Sequence, residues 1–483
     1  MMIDKLIAQP EGKTLEFKRD LSSPKSMLKS IVAFANTAGG RIIIGIDDNR
    51  QLSGVAQPLD EEERLCSLIA DSISPRIVPN IELVTVEGKT LLIAEVFVSS
   101  TRPHWINAEG MENGVYVRLG STNRQADREL IAELHRRTDG IPFDEMPMPD
   151  LSIDDLDLSE ARELFEGIST LNEHALKTLK LLTHYQGRLV PTKGAILLFG
   201  KQRNVYFPDA WVQCGRFIGT DKANIFDHID IRDHLPKAVE SILQFLKKHA
   251  MRGADFSEIR RKDVWSIPLS ILREAIINAL IHADYSQRGA PTRVSFFDDR
   301  IEIENPGILL PGMTIEDVRQ GVSKIRNHVI ARIFHELHLI EQWGSGVARI
   351  FKEAKQQNLP EPEIMEIGMR VRFIIPLAQP IASQTSIANE EEIELRLESR
   401  LESRLESRLE SKLAARIIIL LKNGEAGKAQ LAQALGHKTV SGELHKQVKQ
   451  LHAQHMIEMT LPEKPNSRLQ KYRLTTEGWS LIR

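Results

Sequence analysis

Residues 30–49 read SIVAFANTAGGRIIIGIDDN, and this stretch decides how the first third of the chain is built. Within residues 24–36, Met27, Leu28, Ile31, Val32, Phe34 and Ala35 recur at helical spacing. Gly39-Gly40 ends that helix, because glycine tolerates a left-handed turn. RIIIGI (41–46) then reads as a buried strand, followed at once by the acid pair Asp47-Asp48. Outward from this core, Leu15–Lys18 reads as a short strand, and LLIAEVFV (91–98) and VYVRLG (115–120) as further strands. The pattern is α+β, and the segment it covers is residues 1–138.

Residues 139–157 are rich in proline and acid, most of all PFDEMPMPDLSIDDLD (142–157), and read as a linker. Residues 158–380 form a second, α/β region. AILLFG (195–200), WVQCGRFIG (211–219), RVSFFDD (293–299) and RIEIENPG (300–307) are its expected strands, and 234–250, 269–283 and 326–338 its expected helices. Residues 381–412 hold a polar linker and a helical repeat, with LESR at 397, 401 and 405 and LESK at 409. Leucine every fourth residue drifts about 40° per repeat around a helix. Two readings stay open, a self-associating helix and a solvated spacer.

The 483 residues are too many for one ordinary core. Apolar residues make up 42% and charged residues 27%, which fits a globular protein. The net charge of −3 confines any nucleic-acid surface to a local basic patch. Cys66 and Cys214 stand far apart, which excludes a cysteine-based zinc site and a disulfide framework. No run of about 18 apolar residues occurs, so no membrane partner is expected, and the cytoplasm is the expected location.

Residues 413–483 follow the order helix, helix, turn, helix, hairpin, which is that of a winged helix-turn-helix DNA-binding domain. Residues 422–483 hold ten Lys/Arg and five Asp/Glu, a net of +5. Lys438, Lys446 and Lys449 flank or lie on the third helix, and Lys464, Arg468, Lys471 and Arg473 surround the hairpin. Phosphate neutralisation by such residues supplies affinity for duplex DNA and makes it salt-dependent. Thr439, Ser441 and Gln447 are neutral candidates for base or phosphate contact.

In the first domain, Glu11, Glu16 and Asp48 stand near strand ends. Converging carboxylates can hold Mg²⁺ or Mn²⁺ and activate water against a phosphodiester. EGKTLEFKRD (11–20), AFANTAGGRIIIGIDDN (33–49) and LSGV (52–55) together resemble the Schlafen AlbA-like domain. That resemblance implies nucleic-acid binding. It also aligns Glu11, Glu16 and Asp48 with the metal-holding acids of Schlafen RNA endonucleases. Lys18, Arg19, Arg118 and Arg136-Arg137 are candidates to extend a nucleic-acid surface, though solvated charges are the plainer reading.

In the middle region, Glu274 and Asn278 are four apart and share one helix face. Asn305-Pro306-Gly307 closes a strand, and Gly344-Ser345-Gly346 precedes a helix, where backbone N–H groups can approach phosphate. EAIINALIHADY (274–285), FFDDRIEIENPG (296–307) and the run 325–350 resemble the ATP-binding domain of the histidine-kinase/gyrase/heat-shock-protein-90 type. The resemblance implies ATP with Mg²⁺, Glu274 as general base, Asn278 as metal-positioning residue, and Asn305 where such ATPases carry an adenine-reading aspartate. A P-loop is absent from the sequence, so a helicase motor has no support.

The expected protein is therefore a DNA-binding transcriptional regulator, forming a homo-oligomer, with a nucleotide-sensing middle domain. The alternative is a metal-dependent endonuclease acting on RNA or single-stranded DNA; a third reading is an ATPase that remodels partners.

Overall fold

The structure, a computed structural model, describes residues 2–483 apart from 169, 256–261, 266, 341–345, 379–404, 406–408, 410, 423, 437–439, 464, 466, 468–469 and 483. It divides into two units, residues 1–381 and 382–483. No helix among the described residues is long and apolar enough to cross a membrane.

The N-terminal domain is built on four strands, β1 (Leu15–Lys18), β2 (Gly40–Ile44), β3 (Asn80–Val86) and β4 (Lys89–Val96), in the order β1-β2-β4-β3. β1 runs parallel to β2, and the other neighbours are antiparallel. Side chains alternate between the two faces of a strand, which explains the unbroken apolar run Ile42–Ile44. Ile42 and Ile44 face helix α1 (Pro24–Asn36), while Ile43 and Ile46 join Leu15, Phe17 and Leu91 on the opposite face. Gly39, at φ +74°, closes α1 by donating its N–H to the Phe34 carbonyl. A hairpin of β5 (Tyr116–Leu119) and β6 (Thr122–Gln125) leads into α2 (Arg128–Thr138). Asn36, buried at the end of α1, binds the hairpin through the Tyr116 carbonyl and residue 104 through both N–H and C=O.

The middle region carries a six-stranded mixed sheet. Its strands are β7 (Val212–Ile218), β8 (Asn224–Ile231), β9 (Thr292–Phe296), β10 (Arg300–Pro306), β11 (Glu363–Ile367) and β12 (Arg370–Pro376), in the order β8-β7-β9-β10-β12-β11. Only the β7–β9 pairing is parallel. Helices α4 (Leu235–Ala250), α5 (Leu269–His282), α6 (His328–Glu336) and α7 (Gly346–Gln356) contribute buried residues to the core that the sheet shares. The other sheet face carries Glu302 and Glu304, buried beneath Arg300 and Arg372, with Arg372 Nη2 to Glu304 Oε1 at 2.7 Å.

Two expectations need correction. AILLFG is not a strand: Lys193–Phe199 is helix α3, and the Thr192 side chain caps it by accepting the Ala195 N–H. The run is apolar throughout because the whole helix is buried, and periodicity cannot separate a buried helix turn from a buried strand. Nor is 142–157 a free tether. Leu151 and Leu156 belong to the middle core. Asp144 is wholly buried, and its carboxylate accepts the N–H groups of His328, Val329 and Ile330, the first turn of α6. Acidity here supplies a helix cap rather than solvation. The linker expected after residue 380 lies mostly outside the described residues.

The second unit has three helices, α8 (Lys412–Lys422), α9 (Lys428–Ala434) and α10 (Gly442–Ala453). A hairpin of β13 (Ile457–Met459) and β14 (Tyr472–Leu474) follows, then α11 (Thr476–Ile482). Ala426 bridges to Tyr472, adding a short third partner to the hairpin. Ile417, Ile418, Leu431, Leu444, Val448 and Tyr472 are buried together. Of the leucine repeat, the described Leu405 is buried in this same core and Leu409 packs against it.

Burial raises the Asp144 carboxyl to about 6, against the pull of its three N–H donors. A carboxyl so raised contributes stability below its ordinary pKa near 4, and that contribution is lost as pH rises through about 6. Relative to Asp144→Asn, the wild type is expected to lose stability by about 3 kcal/mol between pH 4 and pH 7. Urea melts of both proteins across that range test it, and parallel pH profiles would refute it. Asp144→Ala, which leaves three N–H groups without an acceptor, is expected to cost about 2–4 kcal/mol at pH 4, a cost that shrinks towards pH 7 as the wild type loses its own pH-dependent stability.

Candidate functional site

A cleft of about 860 Å³, its open mouth included, lies between α5, the sheet and the segment that follows β10. Ala275, Asn278, Ala279 and His282 line it from one face of α5, as a helix presents residues three and four apart. Ile303 and Asn305 come from β10, and Val371 and Phe373 from β12. Ile308, Leu310 and Met313, then Val318, Val322 and Lys324, form its roof. Val347 and Ile350 of α7 close one side. Largely apolar walls with a few convergent polar groups are the usual form of a small-molecule site.

The polar groups are well defined. Asn278 Nδ2 donates to the Glu274 carbonyl at 2.8 Å and to Glu274 Oε1 at 3.0 Å. Glu274 Oε2 pairs with Arg349 of α7. Asn305 Nδ2 donates to the Pro306 carbonyl at 3.2 Å. Lys324 Nζ reaches the Pro311 carbonyl at 2.9 Å, so the roof holds its own cation. Burial, aided by Arg326 and Arg137, pushes the His282 imidazole down to about 4, which keeps it neutral at physiological pH.

Sequence reasoning identified Asn278 and Asn305, and the structure brings them into one cleft. Gly307 has a different part from the one expected. It sits at φ +99°, its N–H is committed to the Met369 carbonyl, and an added Cβ would meet Asp284 at 2.9 Å and Arg326 at 3.1 Å. It is a close-packing glycine rather than a phosphate donor. At Gly346 an added Cβ would fall 1.7 Å from Glu274 Oε1, so the start of α7 is seated directly on that carboxylate. Gly344 lies outside the described residues. Lys324 and Arg349 were not anticipated, because an isolated cation carries no pattern until the fold places it.

The three N-terminal acids do not gather. Glu16 is buried and bound by Arg118 Nη1 at 2.7 Å and Lys18 Nζ at 2.5 Å. Glu11 Oε1 accepts the Phe17 N–H at 2.8 Å. Asp48 is exposed in the turn after β2. Among the described residues no group of three His, Cys, Asp or Glu side chains could hold a metal ion. The expected metal site is therefore not assembled. Arg118, itself 1% exposed, turns Glu16 inward, and the polypeptide geometry sends Asp48 outward.

In the second unit, Lys446 and Lys449 are exposed on α10 beside His445 and Gln450. Ser441 caps α10 by accepting the Leu444 N–H, and Gln447 is buried and bonded to Glu443, so neither offers a free contact. Lys471 is exposed, whereas Arg473 pairs with Glu458 at 2.6 Å. Lys438, Thr439, Lys464 and Arg468 lie outside the described residues.

Comparison with known families places three matches along the chain. Residues 11–127 match the Schlafen, AlbA_2 model. Residues 289–375 match a model described as "Putative ATP-dependent DNA helicase recG C-terminal". Residues 414–475 match the C-terminal domain of Fic-like proteins, Fic standing for filamentation induced by cAMP. Together these fit an α+β multidomain protein of the AlbA-like Schlafen type with an ATPase-like domain. Helix α5, with Glu274 and Asn278, precedes the ATPase-like match. No curated protein matches. Among solved structures, the DIP2311 protein from Corynebacterium diphtheriae aligns over 100% of this chain and 97% of its own, at 19% identity and TM-score 0.42. The N-terminal domain of a RecG-related protein from Nitrosomonas europaea aligns over 26% of this chain and 90% of its own, at 29% identity and TM-score 0.22.

The packing around Arg118 gives Glu16 a structural part that mutation can expose. Glu16→Ala leaves a buried guanidinium without its carboxylate and is expected to cost about 3–5 kcal/mol. Asp48→Ala, at an exposed turn, should stay within about 0.5 kcal/mol. Thermal melts decide it, and equal small effects at both positions would show that the Glu16–Arg118 pair does not hold the domain.

Proposed function

We propose that this chain is a nucleic-acid-binding regulator whose middle domain takes a purine nucleotide. The observation that carries the reading is the meeting of Asn278, from α5, and Asn305, from β10, in one apolar cleft. A flat base fits between apolar walls, and a side-chain amide at the sheet end can read its edge. On this reading Asn305 faces the base, Asn278 orients a magnesium-bound phosphate, and Lys324 answers the phosphate charge from the roof. A bound nucleotide would supply the differential binding energy that switches the protein between states. The ATPase-like match over residues 289–375 supports the same assignment.

The nucleic-acid half of the proposal rests on the AlbA_2 match and on the second unit. Its element order and its two exposed lysines on α10 support a winged helix whose third helix meets duplex DNA. Regulation of transcription is then the function that joins a ligand cleft to a DNA-reading module. Glu11, Glu16 and Asp48, which an endonuclease reading needs in one cluster, do not form a metal-holding group among the described residues.

Two measurements test the proposal. Mg²⁺ and ATP should raise the melting temperature of the wild type and leave Asn305→Leu unmoved; no shift for the wild type with any purine nucleotide would sink the cleft assignment. Lys446→Glu and Lys449→Glu should each weaken duplex DNA binding across all sequences. Each should also lower the slope of log affinity against log salt by about 1. Unchanged affinity in the double variant would move the DNA contact off α10.

A further inference from the structure

The roof of the cleft is one segment of chain between β10 and α6, and it carries Ile308, Leu310, Met313, Val322 and Lys324 of the lining. It holds one short helix, Ile315–Arg319. Two of its amides are held from outside the segment. The Gly312 N–H donates to the Thr37 carbonyl at 2.7 Å, just past the end of α1. The Leu309 N–H donates to Glu366 Oε1 of β11 at 2.8 Å. The other Glu366 oxygen takes Lys13 Nζ at 2.6 Å, and the two side chains are only 9% (Lys13) and 3% (Glu366) exposed. Ile308, which lines the cleft, also packs among Val115, Val117, Leu130 and Leu134 of the N-terminal domain.

Lys13 is itself anchored on both sides. The Gly12 carbonyl accepts from Arg118 Nε at 3.0 Å, and the Thr14 carbonyl accepts the Arg41 N–H at 2.9 Å. The ammonium therefore leaves its own domain from a fixed base. Burial lowers its pKa, against the pull of Glu366 and of Asp317 in the roof helix. A buried ammonium is costly without a partner, so this pair stays closed, and Glu366 is held where it accepts the Leu309 N–H. We infer that Lys13 is a positioning residue of the ligand site: through Glu366 it sets the place of the roof, so that the N-terminal domain completes the cleft of the middle domain. For the identity of the ligand the inference rests on the nucleotide reading of the cleft, and it extends that reading by making the site the work of two domains. A roof held in place before the ligand arrives costs less to order on binding. Loss of the tie should therefore weaken the ligand, although Lys13 is not among the residues that line the cleft.

The experiment is hydrogen exchange of the full chain, read by mass spectrometry, beside calorimetric titration with ATP and Mg²⁺. The variants are Lys13→Met/Glu366→Gln and Lys13→Arg. The double variant removes the ion pair without stranding a buried charge. Its glutamine can still accept the Leu309 N–H, so what it loses is the tie to the N-terminal domain. Roof amides between residues 308 and 324 should exchange about tenfold faster in it, while those of α5 and β2 keep wild-type protection. The same variant should bind the nucleotide several-fold more weakly. Lys13→Arg, which keeps the cation, should stay close to the wild type in both. Unchanged roof exchange in the double variant would overturn the positioning role. Equal loosening of roof, α5 and β2 would overturn it too, by making the pair a general support of the fold. A loosened roof with unchanged nucleotide affinity would cut the link to the ligand site. A wild type that binds no purine nucleotide would sink the nucleotide reading, and roof exchange would still decide whether Lys13 holds the roof.

Discussion

Three consecutive residues, Arg326, Asn327 and His328, tie the first unit together, and the cleft depends on how their polar groups are satisfied. The Arg326 guanidinium is buried; it binds Glu133 of α2 in the N-terminal domain and the carbonyl of Ile308 in the cleft roof. Burial alone would lower its pKa, but Glu133 and Asp284 beside it hold the pKa above the ordinary guanidinium value. Asn327 Nδ2 donates at 2.7 Å to the carbonyls of both Ile281 and Ala283, at the end of α5. The His328 N–H begins the set of three that Asp144 accepts. One tripeptide thus joins the N-terminal domain, the helix carrying Asn278, and the acidic strap at 142–157. Removing one partner of such a buried charge costs several kcal/mol, because the other is left dry and unpaired.

The same logic explains why the roof and the N-terminal domain are one packed body. Arg137 Nη2 donates to the Arg326 carbonyl at 2.9 Å. The Gly312 N–H reaches the Thr37 carbonyl at 2.7 Å, just past the end of α1. Lys13 Nζ meets Glu366 Oε2 at 2.6 Å, and the other Glu366 oxygen accepts the Leu309 N–H at 2.8 Å. Four residues of the N-terminal domain therefore hold the segment that covers the cleft. Any ligand that moves this roof must work against contacts made by the N-terminal domain, which gives a physical route for linkage between the two.

Local chemistry made much of this legible in advance. Helix 24–36 and its Gly39 stop, the strands at 41–46 and 91–98, and the helices near 234–250 and 269–283 follow from periodicity and turn residues alone. Asn278 was readable from its four-residue spacing to Glu274 on one helix face, whereas Asn305 was singled out only by the resemblance to the ATP-binding domain. What failed was decided at long range. Asp144 looks solvated in sequence, and only the first turn of α6, some 184 residues on, supplies its donors. Glu16 resembles a metal ligand until Arg118, 102 residues away, arrives to claim it. Buried charges are identified by their partners, and the partners of these two are not local.

The carboxylates show the same point from the functional side. Glu16 and Glu274 are both buried acids paired with an arginine, yet the pairs differ in exposure. Arg118 is 2% exposed in its side chain and also donates to the Gly12 carbonyl and Asn123. It has no path to another partner without unfolding the domain. Arg349 stands partly in solvent, its side chain 43% exposed. Composition does not separate the two pairs, since each is one glutamate and one arginine. Burial of the cation does: the Glu16–Arg118 pair is closed off from water on both sides, whereas the Glu274–Arg349 pair is open to solvent on its cationic side.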